Sequence, residues 1–487
     1  MKLSMGSNLS TGHQKKAARG PSLYIFICLS LLAFAPIVVQ ATTTPRVAAG
    51  AAHVIALKSN GSVWSWGNNM MGQLGVGSTT DELSPRAVSA TFGTLSSATA
   101  VAAGETHSMA LKSNTTMVAW GNYTSGQLGN STITAIQATP VSVVDSSETA
   151  ISNATAISAG SDHSVAIVGG TVYTWGDNFY GQLGSSTNVG THTANSIPTA
   201  VAITGSPTIT AVAAGSDFTL ALDSSGNVWA WGHNNYGQLG NSSTTNSSTP
   251  VQVTSLSNVT AIAAGWGHAL AVKNDGTVWA WGWNFSGQLG NSTNFGIDTA
   301  NSVAVQVAGL SGVKAVAAGR AHSMALTSSG TVYAWGGGAA GQLGLGSGVD
   351  QTTTPQQVTA TSFTGVSAIS AGEFFSVAID GSGNVWTWGE NGSGQLGNGG
   401  PIGVNVYAPA SISFSLGSTS TLLGDMNSSG KITAADALLA LQYSVGINTL
   451  SLTSAEALAR GDVNSSGKVT AADALLILQK SVGINSY

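Results

Sequence analysis

The stretch Val228-Trp-Ala-Trp-Gly-His-Asn-Asn-Tyr-Gly-Gln-Leu-Gly240 decides the fold, because its skeleton recurs six more times along the chain. Trp-Gly, followed a few residues later by Gly-Gln-Leu-Gly, begins at Trp66, Trp120, Trp175, Trp231, Trp281, Trp335 and Trp388, at spacings of 54, 55, 56, 50, 54 and 53 residues. A period of that size marks a repeat architecture. A second mark, Ala-Gly-x-x-His with Phe for His in two copies, keeps the same phase at Gly50, Gly104, Gly160, Gly215, Gly265, Gly319 and Gly372.

Read from one Ala-Gly to the next, a unit holds four short apolar segments. Between Ala264 and Ala317 they are His268 to Val272, Thr277 to Trp281, Val303 to Val307 and Val313 to Ala317. Their β-branched, aromatic and alternating residues, separated by Gly, Asn, Asp and Ser, favour strands over helices. Four strands per unit predict a propeller blade, and seven units a seven-bladed β-propeller over residues 45–414. The chain offers little strand before Gly50 but a surplus one, Pro409 to Phe414, after the last Gly-Gln-Leu-Gly. That imbalance leads to the expectation that Pro409 to Phe414 completes the first blade and latches the ring.

The motifs Ala102-Ala-Gly-Glu-Thr-His-Ser-Met-Ala-Leu111 and Val228 to Gly240 resemble those of the regulator of chromosome condensation (RCC1) family. The resemblance covers roughly residues 45 to 415 and implies a seven-bladed ring, but a fold does not by itself assign a function.

Residues 1–41 read as a secretory signal peptide: Lys2, Lys15, Lys16 and Arg19 lead, Leu23 to Ala35 are largely apolar, and Val39-Gln-Ala41 suits cleavage. A retained anchor is the alternative. The expected location is secreted or cell surface. Cys28, the single cysteine, lies in this leader, so the mature chain needs no disulfide in an oxidising compartment. Without the leader the net charge is about −9, which argues against a nucleic-acid partner, since such a partner would want a basic stripe.

Residues 415–423 form a Ser/Thr/Gly/Leu linker to a C-terminal domain, 424–487, in which one segment occurs twice, 37 residues apart. Each copy reads Gly-Asp-x-Asn-Ser-Ser-Gly-Lys-x-Thr-Ala-Ala-Asp and runs into a helical stretch ending at Gly446 or Gly483. Oxygen-bearing side chains fall at positions 1, 3, 5 and 12 of a calcium loop, with Gly at the sharp turn. The expected ligands are Asp425, Asn427, Ser429 and Asp436 around one calcium ion, with the backbone carbonyl of Lys431. Around the second they are Asp462, Asn464, Ser466 and Asp473, with the carbonyl of Lys468, while Thr433 and Thr470 stand where a water-mediated ligand would. Hard oxygen donors without His or Cys select calcium over zinc or copper. The competing reading is two ion-free turns before amphipathic helices.

The duplicated loop-helix, closed by Asp rather than Glu, resembles a type I dockerin over about residues 422 to 487. Membership implies a small α-helical, calcium-folded module that docks onto a cohesin-like domain of a scaffold or cell-surface protein. Ser429 and Ser466 replace the family's usual Asp, leaving two carboxylates per site, and Ala434-Ala435 and Ala471-Ala472 replace the pair that helps set cohesin preference.

Within the ring, His53, His107, His163, His268 and His322 occupy equivalent places that Phe218 and Phe375 fill elsewhere. They therefore read as packing residues, with imidazoles expected to bond neighbouring backbone. The Trp before each Gly likewise reads as blade core. Trp266, Trp283 and Phe285 fall outside the repeated positions within one unit, where they suit either extra rim packing or a carbohydrate or protein contact. The ring's acids are few and scattered: Asp81, Glu82, Glu105, Asp145, Glu148, Asp162, Asp177, Asp217, Asp223, Asp275, Asp298, Asp350, Glu373, Asp380 and Glu390. No catalytic motif stands out, and no catalytic residue is assigned. The polar stretches after each Gly-Gln-Leu-Gly, such as Asn241 to Thr249, Asn291 to Ser302 and Leu345 to Thr354, should emerge on one face as a binding surface.

Together these residues favour a secreted, non-enzymatic binding protein whose ring engages an unknown protein or carbohydrate ligand and whose tail attaches it, with calcium, to a cohesin. The alternatives are a polysaccharide-acting enzyme and, further off, an exchange factor for a GTPase.

Overall fold

The computed structural model describes residues 46–90 and 93–417, together with Ala437, Ala440, Val469, Thr470, Asp473, Ala474 and Ile477. The expected signal peptide lies outside the described residues. Residues 46–417 form seven four-stranded antiparallel sheets, each built from four consecutive strands. The first blade comprises Arg46–Ala49, His53–Leu57, Val63–Gly67 and Glu82–Ala87; the seventh comprises Val366–Ala371, Phe375–Asp380, Asn384–Gly389 and Val406–Ser415. The first strands of successive blades lie side by side around the centre, and that of blade seven lies against that of blade one. The ring is closed.

Two expectations about its phase are corrected. Pro409 to Phe414 belongs to the seventh blade, where Ser411 stands opposite Trp386 and Ala410 opposite Thr387, so among the described residues no strand latches blade one to blade seven. The unit from Ala264 to Ala317 straddles two blades, because Val313–Ala318 opens blade six while Val259–Ala264 opens blade five. The sequence period fixes the repeat length but not where the sheets are cut. Blade one is complete from its own stretch of chain, with short Arg46–Ala49 paired with Val54 to Leu57 as its inner strand and Glu82–Ala87 as its outer one.

Each strand's composition matches its radial place. Second strands such as Phe218–Asp223 are buried throughout, sandwiched between neighbouring blades. Fourth strands form the partly exposed outer edge, and six of the seven carry a proline: Pro85, Pro140, Pro198, Pro250, Pro355 and Pro409. Proline cannot donate to a further strand, so these edges resist pairing with another chain.

The two repeated motifs meet at the seams between blades. All seven repeated tryptophans are fully buried, and each indole N–H donates to the glutamine carbonyl of the preceding blade's Gly-Gln-Leu-Gly, as in Trp120 to Gln73 at 2.8 Å and, across the join, Trp66 to Gln395 at 3.0 Å. The glycine after each tryptophan has a left-handed backbone, φ +101° at Gly67, which an L side chain rarely adopts. The glycine of Ala-Gly-x-x-His is needed for space instead. A Cβ on Gly50 would collide with the His53 ring and with the Gly104 carbonyl of the next blade.

The five histidines are fully buried, and all five have a side-chain partner that was not expected. The Nε2 of His53, His107, His163, His268 and His322 lies 2.8–3.0 Å from the hydroxyl of Ser108, Ser164, Thr219, Ser323 and Ser376 in the next blade. Each hydroxyl gives its hydrogen to the same glutamine carbonyl that the tryptophan contacts, as Ser108 does to Gln73 at 2.8 Å. The imidazole must therefore be the donor at Nε2. Burial drives these histidines well down, His53, His163 and His268 to about 3 and His107 and His322 to about 4. They are neutral structural donors.

Candidate functional site: the upper face of the ring

In every blade the first-to-second and third-to-fourth connections emerge on the same face, since His53 pairs opposite Gly67 and Gly67 opposite Glu82. This upper face therefore carries the variable Asn241 to Thr249, Asn291 to Ser302 and Leu345 to Thr354 connections, as expected. At its centre, the seven Ala-Gly turns surround an open cavity of about 240 Å³. The residue after each glycine sets its chemistry: Ala51, Glu105, Ser161, Ser216, Trp266, Arg320 and Glu373.

The loops are anchored by the same frame that forms the seams. In blade four the buried Asn234 side chain accepts from Leu239 N at 2.9 Å and donates to the Thr245 carbonyl at 2.9 Å, tying the variable connection to Gly-Gln-Leu-Gly. Equivalent asparagines, Asn69, Asn178, Asn284 and Asn391, hold the leucine N–H in four other blades. Variable sequence thus rides on fixed anchors.

Trp266, Trp283 and Phe285 do come together, with Trp266 and Trp283 ring centres 5.3 Å apart and Trp283 and Phe285 at 6.0 Å. They form one end of a longer arc. Tyr236 of blade four touches both tryptophans at 5.7–5.8 Å, His233 adjoins Tyr236, and Tyr180 of blade three lies 4.3 Å from His233. Phe179 and the exposed His192 continue it, stacked at 4.6 Å. Beyond Trp266 the Arg320 guanidinium lies over both Trp266 and Phe374, at 5.4 and 5.5 Å, and pairs with Glu373. Phe179, Tyr180, His192, His233 and Tyr236 were not singled out from the sequence. Most of them occupy the positions just after Trp-Gly and just before Gly-Gln-Leu-Gly, and only stacking blades around a ring makes them neighbours.

Carboxylates border this arc. Burial raises Asp162 to about 6, helped by the negative charges of Glu105, Asp177 and Asp217, and burial likewise raises Asp217. Asp162 accepts from the Gln127 side chain at 2.9 Å, and Asp177 from Gln182 at 2.8 Å and His192 at 3.1 Å. Among the described residues of the ring, the lower face holds Asp145, Glu148, Asp223, Asp275 and Asp380 with Arg46, Lys58, Lys112, Lys273 and Lys314. The other ten carboxylates stand on the upper face, whose connections carry Arg320 as their one lysine or arginine. Arg86, on the outer strand of blade one, pairs with Glu82.

Of the ten expected calcium ligands, Asp473 is described. It is buried at a helix start, where its Oδ2 accepts from Thr470 N at 2.8 Å and from Thr470 Oγ1 at 2.7 Å. The bond from Thr470 N is one half of a capping box; the Thr470 hydroxyl donates to the same carboxylate, and Asp473 N donates to the Thr470 carbonyl at 3.1 Å. Asp425, Asn427, Ser429, Lys431, Asp436, Asp462, Asn464, Ser466 and Lys468 lie outside the described residues.

The seven-bladed ring agrees with what comparison with known proteins finds: the RCC1-like domain profile matches residues 4–368. The chain belongs to the RCC1-like family. Regulator of chromosome condensation (RCC1) repeat profiles match residues 366–395 and 382–422, and the dockerin type I domain profile matches residues 423–480. The ultraviolet-B receptor UVR8 of Arabidopsis thaliana is 32% identical over 357 residues, 72% of this chain and 66% of that protein. The E3 ubiquitin-protein ligase HERC2 of Mus musculus is 32% identical over 369 residues, 74% of this chain and 6% of that protein. The chain thus spans less than two thirds of these relatives. Among solved structures, Prp20p from Saccharomyces cerevisiae, described with its binding to Gsp1p and histones, aligns with TM-score 0.62 at 21% identity over 77% of this chain and 88% of its own. Human WBSCR16 aligns with TM-score 0.63 at 22% identity over 72% and 95%. At such identities the likeness is one of fold. Dockerin type I domains as a class bind calcium and cohesins.

Proposed function

We propose that this chain is an exported, non-enzymatic binding protein whose RCC1-like ring captures a macromolecular ligand on its upper face. Its dockerin tail attaches it, through two calcium ions, to a cohesin on a scaffold or cell surface. The observation that carries the first half is the aromatic arc running over blades three to five. Aromatic side chains left partly exposed in a continuous group are characteristic of recognition surfaces, where they supply contact area at low entropic cost. The second half rests on the dockerin match and the duplicated Asp-x-Asn-x-Ser-Gly loops. Expected ligands are those given above.

The test is a capture from culture supernatant with full-length protein, its Trp283→Ala variant, and each with and without chelator. Partners released by chelator belong to the tail; partners kept in chelator but lost from the variant belong to the arc. Retention of every partner under all four conditions would sink the proposal. A second reading, an enzyme acting on polysaccharide, draws support from Asp162, which burial and neighbouring carboxylates hold near the range suited to a general acid. It predicts turnover of a glycan abolished by Asp162→Asn.

A further inference from the structure

The two faces of the ring are charged differently. Below, five carboxylates balance five lysines and arginines; above, ten carboxylates are offset by Arg320 and by Arg86, which reaches Glu82 from the outer strand of blade one. The low basicity of the chain therefore falls on one side of the molecule, the side that bears the cavity, the variable connections and the aromatic arc. A face with one sign of charge concentrated around a concave mouth raises the local concentration of oppositely charged partners.

The fold already holds one cation on this face. The Arg320 guanidinium lies over Trp266 and Phe374 and is paired with Glu373. Both halves of that arrangement recur on the upper face, Glu105 within the mouth itself and the others on the connections of blades three to five. Tyr236, Trp283 and Phe285 supply further rings, while Glu105, Asp162 and Asp217 supply carboxylates, close enough that their mutual repulsion shows in the raised Asp162. No lysine or arginine stands beside this second set on the upper connections of the described blades. Bringing a cation between an aromatic face and a carboxylate gains cation–π attraction and relieves that repulsion together.

We propose that the upper face docks a basic protein segment, with one arginine or lysine entering the axial mouth between Trp266 and Glu105 and the flanking chain lying along Tyr236, Trp283 and Phe285. This rests on the reading of the upper face as the ring's binding surface and gives that surface's ligand a chemical class. A cavity of about 240 Å³ admits the end of one long side chain rather than a folded element. Carboxylates at the rim govern encounter and specificity, and the rings govern residence.

The experiment is calorimetry on the full-length, calcium-loaded protein with tetra-arginine amide, tetra-glutamate and cellotetraose as probes. Tetra-arginine should bind with unit stoichiometry and weaken about tenfold between roughly 50 and 300 mM salt. Glu105→Gln combined with Asp217→Asn, and separately Trp283→Ala, should each weaken it by about tenfold with unchanged melting temperature. Asp145→Asn combined with Asp275→Asn, on the lower face, should leave binding unchanged. Equal loss from the lower-face pair, or no effect of the upper-face variants, overturns the proposal as diffuse attraction. Cellotetraose heat abolished by Trp283→Ala, with none from tetra-arginine, overturns the cationic ligand but keeps the face as a binding surface. If no probe binds and supernatant partners are the same for Trp283→Ala and the native protein, both readings fall.

Discussion

The seams between blades and the rim above them share one period, yet the same kinds of residue have opposite fates in them. Seven tryptophans in the seams are fully buried and bonded to a glutamine carbonyl; Trp266 and Trp283 on the rim are half-buried and contact residues of neighbouring connections. Histidines in the seams are buried donors, whereas His192 on the rim is exposed beside Asp177. The difference teaches where repetition stops carrying information. A residue that recurs solves the packing problem common to every blade, and a residue present in one or two blades is available for recognition.

The largest effect expected to separate the two regions is acid lability of the seams. Five histidines are held at about 3 to 4 in the folded ring and titrate near 6.5 when unfolded. Between those values the unfolded chain binds protons that the folded ring refuses, so stability falls as pH drops below 6.5 and is flat above it. Each histidine contributes a slope of about 1.4 kcal/mol per pH unit within that window. Asp162 acts in the opposite sense, since its folded value of about 6 lies above its unfolded one, and stability falls slightly as pH rises between about 4 and 6. Denaturant titrations from pH 4.5 to 8 check the balance. Replacing one seam with His107→Phe and Ser164→Ala should flatten the slope by about one fifth.

Next in size, Trp231→Ala should cost about 3–5 kcal/mol through the cavity it leaves, whereas Trp283→Ala on the rim should change stability by no more than about 0.5 kcal/mol. Parallel urea midpoints measure both. Equal costs would erase the distinction between seam and rim.

A finer test exploits the two seams without histidine. Where Phe218 and Phe375 stand, the next blade offers Ala269 and Val54 in place of a hydroxyl. Phe218→His alone should cost about 1–3 kcal/mol, because a buried N–H then faces a methyl group. Adding Ala269→Ser should recover most of that loss. Absence of recovery would mean that the hydroxyl is not the histidine's required partner.

Much of the ring was legible because packing imposes the same demand every 50 to 56 residues. The cut between blades was not, since four strands in cyclic order read alike from any starting point; only the pairing of Val406–Ser415 with Asn384–Gly389 decides it. The histidine bond escaped because its partner sits in the following blade, although the paired exchange of Phe218 with Ala269 and of Phe375 with Val54 was written in the chain. The arc was seen at Trp266, Trp283 and Phe285, which share a blade, and missed at Tyr180 and Tyr236, which join it through the ring's curvature. The expected calcium loops were read from oxygen spacing and duplication, and of the ten expected ligands Asp473 lies among the described residues.

The pairing of histidine with hydroxyl also bears on how such a ring could have grown. Each blade presents one kind of residue to the blade before it and another to the blade after. Blades two, three and six carry the hydroxyl and the histidine together, so copies of them could be inserted next to one another without a mismatch. Blades one and five open with an apolar residue, Val54 or Ala269, and blades four and seven close with phenylalanine. The ring thus divides into two self-consistent cassettes, blades one to four and blades five to seven. Duplication or loss of a middle blade, or exchange of a whole cassette, leaves every interface matched, while a break anywhere else strands a polar group in the core.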